Sequence, residues 1–174
     1  MNLYLTGYRA TGKSAVGQRV AEALTWQWID TDHWVQIEAG KTISEIFAEA
    51  GEPAFRDLES RAIQHVASLD QQVVSLGGGA ILRKENRELI QSSGKTIWLT
   101  ATARTIASRM QSDRENAKTR PQLTQLDQLV EIEQLLRERQ PLYESVADLK
   151  IDGQNKRPAE IAREIVAWFR SQVH

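Results

Sequence analysis

The sequence predicts an α/β fold with a mostly parallel sheet covered by helices on both faces. Two observations predict it. Short apolar runs rich in β-branched and aromatic residues alternate with segments of helical periodicity. A glycine-bearing loop that ends in Gly-Lys-Ser, a pair of aspartates and a run of three glycines each fall just after one of those runs, where ligands bind parallel α/β sheets. A length of 174 residues suits one domain with a sizeable core. No repeat, low-complexity tract or Pro/Gly/Ser linker divides it.

The elements follow in chain order. Residues 3–6, 26–29, 73–76, 96–99 and 149–151 read as five strands. A helix follows Lys13, with Val16, Val20, Ala23 and Leu24 on one face. Further helical patterns cover roughly residues 53–67, 126–139 and 158–169, and Pro141 accounts for the second of these stopping.

Composition narrows the function. The formal net charge of −1 supplies no global field for nucleic acid or an acidic membrane. With no cysteine there are no disulfides, thiolate metal sites or cysteine nucleophiles. Residues 1–6 lack a basic start and soon meet Arg9 and Lys13, so no secretory signal is expected. No apolar run is long enough to span a membrane. A cytoplasmic protein is the expectation, with small-molecule partners rather than nucleic acid or membrane.

Gly7-Tyr8-Arg9-Ala10-Thr11-Gly12-Lys13-Ser14 matches G-x-x-x-x-G-K-[ST], after a strand and opening a helix. Backbone N–H groups and the helix N-terminus of such a loop surround phosphates. Lys13 reaches β- and γ-phosphate oxygens, and Ser14 ligates magnesium. A GTPase would offer an N-K-x-D guanine box, but Asn155-Lys156 is followed by Arg157 and Pro158.

Asp30 and Asp32 end the second strand. Asp30 is the best candidate for the magnesium-side carboxylate, acting through water, because this ion keeps several waters. If strand geometry persists, both carboxylates leave on one face. Asp32 could then accept a proton from an acceptor hydroxyl, cap the following helix, or do both. Arg56 and Glu59 share a helix face at i, i+3, as a surface ion pair or as an arginine oriented toward a ligand carboxylate. Gly77-Gly78-Gly79 follows the third strand, where a ligand can approach backbone closely. Residues 112–125 are polar and charged and read as a mobile lid or a solvated loop; Arg120, beside Pro121, is the candidate cation. Arg139 is either a favourable helix-terminal cation or a second carboxylate-binding arginine.

In this order and spacing the set resembles the shikimate kinase family over nearly the whole chain. The matching features are the phosphate loop, Asp-x-Asp, Phe55-Arg56 with Glu59, the Gly77-Gly78-Gly79 run, Thr119-Arg120-Pro121 and Arg139-Gln140-Pro141-Leu142-Tyr143. The resemblance implies a three-layer α/β/α P-loop kinase fold with a five-stranded parallel sheet and a mobile lid. It implies transfer of the ATP γ-phosphate to the 3-hydroxyl of shikimate, with magnesium. It makes residues 1–174 a single domain, with a lid near 110–125 and a shikimate-binding helical region near 32–62. Carried over by residue, Lys13, Asp32 and Arg120 are catalytic, and Ser14 and Asp30 serve the metal. Gly7, Ala10, Thr11, Gly12, Lys13, Ser14, Ala15, Arg109, Arg120 and Asn155 take ATP, with Arg109 packed on adenine. Asp32, Arg56, Gly78, Gly79, Arg139, Phe47 and Phe55 take shikimate. A monomer suffices.

Ala10 stands where the family usually has glycine, Ala15 where it has threonine, and Gly153 where threonine is common. Altered fit, not lost binding, is the expectation. Two other readings compete. A related gluconate-type or nucleotide kinase would share the loop and lid, but does not explain Arg56, the glycine run and Arg139 together. A non-catalytic nucleotide-binding module would bind ATP without acceptor-dependent turnover. The tryptophans read as packing, with Trp34, near Asp32, the one placed to report on the site.

Overall fold

The computed structural model describes residues 1–114 and 125–172. Five parallel strands form one sheet: β1 (Asn2–Thr6), β2 (Gln27–Asp30), β3 (Gln72–Ser75), β4 (Gly94–Thr100) and β5 (Leu149–Asp152). Their order is β2-β3-β1-β4-β5. β1 is central, and the chain leaves it toward opposite edges of the sheet. Such a switch point opens a crevice at the strand C-termini.

Alternation along the strands sorts side chains into two cores. Leu3, Leu5, Val73, Ile97, Leu99 and Ile151 face one way, against α1 (Lys13–Leu24) and α7 (Pro158–Gln172). Tyr4, Val74 and Trp98 face the other, against α3 (Ile43–Ala67), α4 (Lys84–Ser93) and α6 (Gln125–Val146). The expected three layers are present.

Three expectations need correction. Ala23 is exposed on α1, and Ala21 takes the inward position beside Val20. The helix does not stop at Pro141: α6 runs through it to Val146. Proline removes one backbone bond, but Tyr143 and Val146 beyond it are buried in the second core and hold the last turns in place. The third is the end of β2: helix begins at Thr31, so strand geometry does not carry Asp30 and Asp32 onto one face.

Two helices flank the crevice as a satellite. α2 (Thr31–Ala39) follows β2 without a loop, and α3 begins at a Thr42–Glu45 capping box. Gly51 breaks α3 with φ 76°, so the segment from Pro53 starts a new helical direction, as its sequence suggests. Val35, Ile46, Phe55 and Ala62 form the satellite's own small core. α5 (Ala103–Arg114) packs on α6 through Ile106 and Ile132.

Candidate active site

The phosphate loop joins β1 to α1. Gly7 has φ 143°, and a Cβ there would lie 2.4 Å from the Leu99 carbonyl oxygen, so glycine is required. Gly12, with φ 95°, is the N-cap of α1, and no side chain caps that end. No acid stands in the first turn. The helix N-terminus therefore presents N–H groups and positive dipole to an anion. Thr11 Oγ1 donates to the Tyr8 carbonyl at 2.8 Å. Lys13 Nζ donates to the Gly7 and Tyr8 carbonyls, both at 2.8 Å. Burial lowers the Lys13 pKa to about 8, against the opposing pull of Asp32 and Asp30, while Arg9 adds to the lowering.

Ser14 Oγ donates to Asp30 Oδ2 at 2.8 Å. The other oxygen of Asp30 accepts from the N–H groups of Asp32 (3.0 Å) and His33 (3.2 Å). Asp30, not Asp32, is thus the N-cap of α2. β2 ends at Asp30 and helix begins at Thr31, so strand alternation does not extend across the pair. Asp32 instead sits in the first turn of α2 and enters the cleft from there. Burial raises the Asp32 pKa above the usual carboxylate range, and Asp30 adds to the rise; Lys13, Arg56 and Arg9 oppose it.

Beside the loop lies a cleft of about 500 Å³. Asp32, Phe47, Phe55, Arg56, Gly78, Gly79 and Arg139 all line it, from four separate stretches of chain. Arg56 NH1 donates to Glu59 Oε2 at 2.7 Å, and its other nitrogens reach Glu52 Oε1 at 3.1–3.2 Å. Glu59 is buried and its Oε1 has no hydrogen-bond partner. Burial raises its pKa; Arg56 counters that, Asp32 adds to it and Arg139 counters it. Phe47 and Phe55 pack with ring centroids 4.8 Å apart, and the Arg56 guanidinium lies 5.2 Å over Phe55.

Two glycines of the run lie tight against these side chains. A Cβ on Gly77 would meet Asp32 Oδ1 at 2.6 Å and Glu59 Oε1 at 2.8 Å; one on Gly79 would meet Arg56 NH1 at 2.2 Å. The Gly78 carbonyl accepts from Arg139 NH1 (3.2 Å) and from the Tyr143 hydroxyl (2.7 Å). Burial pushes the Tyr143 phenol up to about 12, so it stays a donor. Arg139 also lies 5.7 Å over the Tyr8 ring.

Across the loop from the cleft's glycine run, Arg109 NH1 donates to the Ala10 carbonyl at 3.1 Å. Ala15 is half-buried in the first turn of α1. Asn155 is exposed in the turn after β5. Gln154 anchors that turn, accepting from Thr102 N at 3.1 Å and donating to Thr105 Oγ1 at 2.6 Å. A Cβ on Gly153 would sit 3.3 Å from Ile161 and 3.4 Å from the Thr100 carbonyl, a tight fit for threonine. Arg120 and most of the expected lid lie outside the described residues. Sequence reasoning passed over Tyr8 and Gln154 and gave Tyr143 no role of its own. Tyr8, inside the phosphate motif, carried the clearest overlooked signal.

The chain matches the family model described as shikimate kinase over residues 9–170. It is 40% identical over 172 residues to a shikimate kinase of Rhodopirellula baltica, covering 99% of this chain and 92% of that one. A shikimate kinase of Symbiobacterium thermophilum is 37% identical, over 95% of this chain and 94% of the relative. Among solved structures, shikimate kinase from Acinetobacter baumannii in complex with shikimate superposes with a TM-score of 0.89 at 31% identity, covering 98% of this chain and 93% of that one. Fold, motif order and near-complete coverage agree, and the chain belongs to the shikimate kinase family.

Proposed function

We propose that this protein transfers the γ-phosphate of ATP to the 3-hydroxyl of shikimate. The observation that carries the reading is the cleft beside the phosphate loop, where Asp32, Arg56, Arg139 and the glycine run converge. Shikimate has one carboxylate and several ring hydroxyls. Arg56 and Arg139 suit the first, with guanidinium donors in a planar fork. Asp32 and backbone at Gly78 and Gly79 suit the hydroxyls, and Phe47 and Phe55 the apolar side of the ring.

Phosphoryl transfer asks mainly for positioning and charge neutralisation. Lys13 exchanges its two carbonyl acceptors for phosphate oxygens, joined by N–H groups of Gly12 and the first turn of α1. Asp32 orients the acceptor hydroxyl and takes its proton; a carboxyl held above its ordinary range suits that step. The oxygen pair of Ser14 and Asp30 fits magnesium, which prefers few protein oxygens and keeps waters. When bound, magnesium supplies charge neutralisation on the β- and γ-phosphates. Arg109 offers its guanidinium face to adenine, with Asn155 on the same side, and Arg120 adds positive charge from the lid. The helical region near 32–62 serves shikimate within one domain.

The proposed contacts call for no second chain, and a monomer is the reading. No helix of the described residues is long and apolar enough to cross a membrane. Use of ATP supports a cytoplasmic site of action. A panel of shikimate, gluconate and nucleoside monophosphates tests the acceptor. Phosphorylation of shikimate alone is expected; preference for another acceptor overturns the assignment. Magnesium titrations test the metal pair: Asp30→Asn keeps a competent N-cap and should raise the magnesium concentration needed for half-maximal rate. An unchanged requirement removes Asp30 from that role.

A further inference from the structure

The phosphate loop of this chain holds a non-glycine residue in the left-handed region. Ala10 has φ 59°. That conformation disfavours a side chain by about 1 kcal/mol or more, while glycine adopts it freely. Two contacts hold Ala10 there, one from α5 and one from the cluster in which the loop, α5 and α6 pack together. Its carbonyl accepts from Arg109 NH1 at 3.1 Å. Its methyl packs against the cluster built on Tyr8, Ile106 and Ile132, which Ala107 and Met110 of α5 also join. Elsewhere in the loop the carbonyls of Gly7 and Tyr8 are held from within, by Lys13 and Thr11. The carbonyl between the loop's two conformationally special ends is held from outside, by a residue 99 positions away in sequence.

We propose that Arg109 is a positioning residue for the phosphate loop, and that with Ala10 it straps the loop to α5 in the geometry that receives phosphate. The inference rests on the kinase reading above and deepens it: Arg109 acts on the loop as well as on adenine. A guanidinium has five donors on a planar frame, so one N–H on the Ala10 carbonyl leaves the ring-like face for a base. Ala10 then has a use that glycine lacks. Its methyl couples the loop to α5, and the left-handed strain makes the loop depend on that coupling. Without the strap the loop is free to leave the left-handed region, and nucleotide binding must restore it.

The test is a double-mutant cycle on magnesium–ADP affinity, read by titration calorimetry without acceptor. Arg109→Ala and Arg109→Met are each measured in the native background and with Ala10→Gly. Arg109→Met keeps the aliphatic stem if Arg109→Ala fails to fold; thermal melting verifies folding of every variant. A contact to adenine is lost equally in both backgrounds. A strap matters much less once glycine removes the left-handed penalty. We expect the Arg109 substitutions to weaken ADP about fivefold more in the native background than with Gly at position 10, the ratio equivalent to ~1 kcal/mol. Equal losses in both backgrounds, or no loss in either, overturn the proposal. Shikimate-dependent turnover of the native protein is measured separately, so failure of the strap leaves the kinase reading standing, and failure of turnover leaves the cycle interpretable.

Discussion

Arg56 donates to one carboxylate oxygen of Glu59 at 2.7 Å, while the other oxygen of Glu59 is buried without a partner. The pair holds the Arg56 guanidinium against the glycine run, on the cleft wall. Glu59→Gln keeps the size of the side chain and removes the charge that fixes Arg56. Shikimate KM should rise at least ~10-fold, the loss of about one charge-assisted hydrogen bond's worth of positioning. ATP KM should stay within about twofold. Steady-state kinetics in both substrates checks this; an equal rise for both would point to general damage.

Two glycine substitutions should separate cleanly. In Gly79→Ala the new Cβ meets the far end of Arg56, a movable side chain. The protein should fold, with Tm within about 3 °C of the native value, and lose shikimate affinity ~10-fold. In Gly7→Ala the Cβ meets the Leu99 carbonyl backbone in a left-handed conformation. Stability should fall by about 2 kcal/mol or more, read by urea unfolding.

Asp32→Asn should trade activity for stability. The folded-state pKa of Asp32 is raised, first by burial and then by Asp30. A raised carboxylate pKa means that ionisation opposes folding: the penalty is absent where the group is neutral in both states and grows as pH rises through the carboxylate range. Asparagine removes that penalty, so Tm should rise at pH 7, with the gain vanishing in acid. kcat should drop by ~100-fold or more. A lower Tm at pH 7 would contradict the electrostatic account of Asp32.

Nucleotide binding should take up protons in mild alkali. Burial holds the Lys13 pKa at about 8 in the free protein. A bound polyphosphate favours the charged amine and moves that pKa back up. Around pH 8.5 the free protein therefore carries fewer protons than the complex, whereas near pH 7 Lys13 is mostly charged in both. Calorimetry of ADP binding in buffers of different ionisation enthalpy should show uptake at pH 8.5 and little at pH 7. No buffer dependence at pH 8.5 would contradict the lowered pKa.

The strands and the phosphate loop were legible because short β-branched runs and the G-x-x-x-x-G-K-[ST] spacing are local signals. So was the membership of the cleft: Asp32, Arg56, Gly78, Gly79 and Arg139 meet as their motif order implies. What stayed hidden is set by tertiary contact. The side-chain acceptor that caps α2 is Asp30, because β2 runs directly into the helix, two residues earlier than a cap at Asp32 would place it. α6 survives Pro141 because Tyr143 is anchored at Gly78 and stacks near Trp98. α4 carries few apolar positions, with Ile90 its deeply buried one, so its periodicity is weak. Trp34 stacks on His65 and not in the cleft, with ring centroids 5.4 Å apart. The left-handed Ala10 is invisible in sequence, where it reads only as a departure from glycine.

In the proposed reaction the cleft holding Asp32, Arg56 and Arg139 presents shikimate to the γ-phosphate of ATP. ADP release from ATP and magnesium, with and without shikimate, tests it most directly. Release should depend on shikimate and be nearly abolished in both Asp32→Asn and Arg139→Ala, with ADP binding retained. ATP binding without shikimate-dependent release, or full activity in both variants, would contradict it.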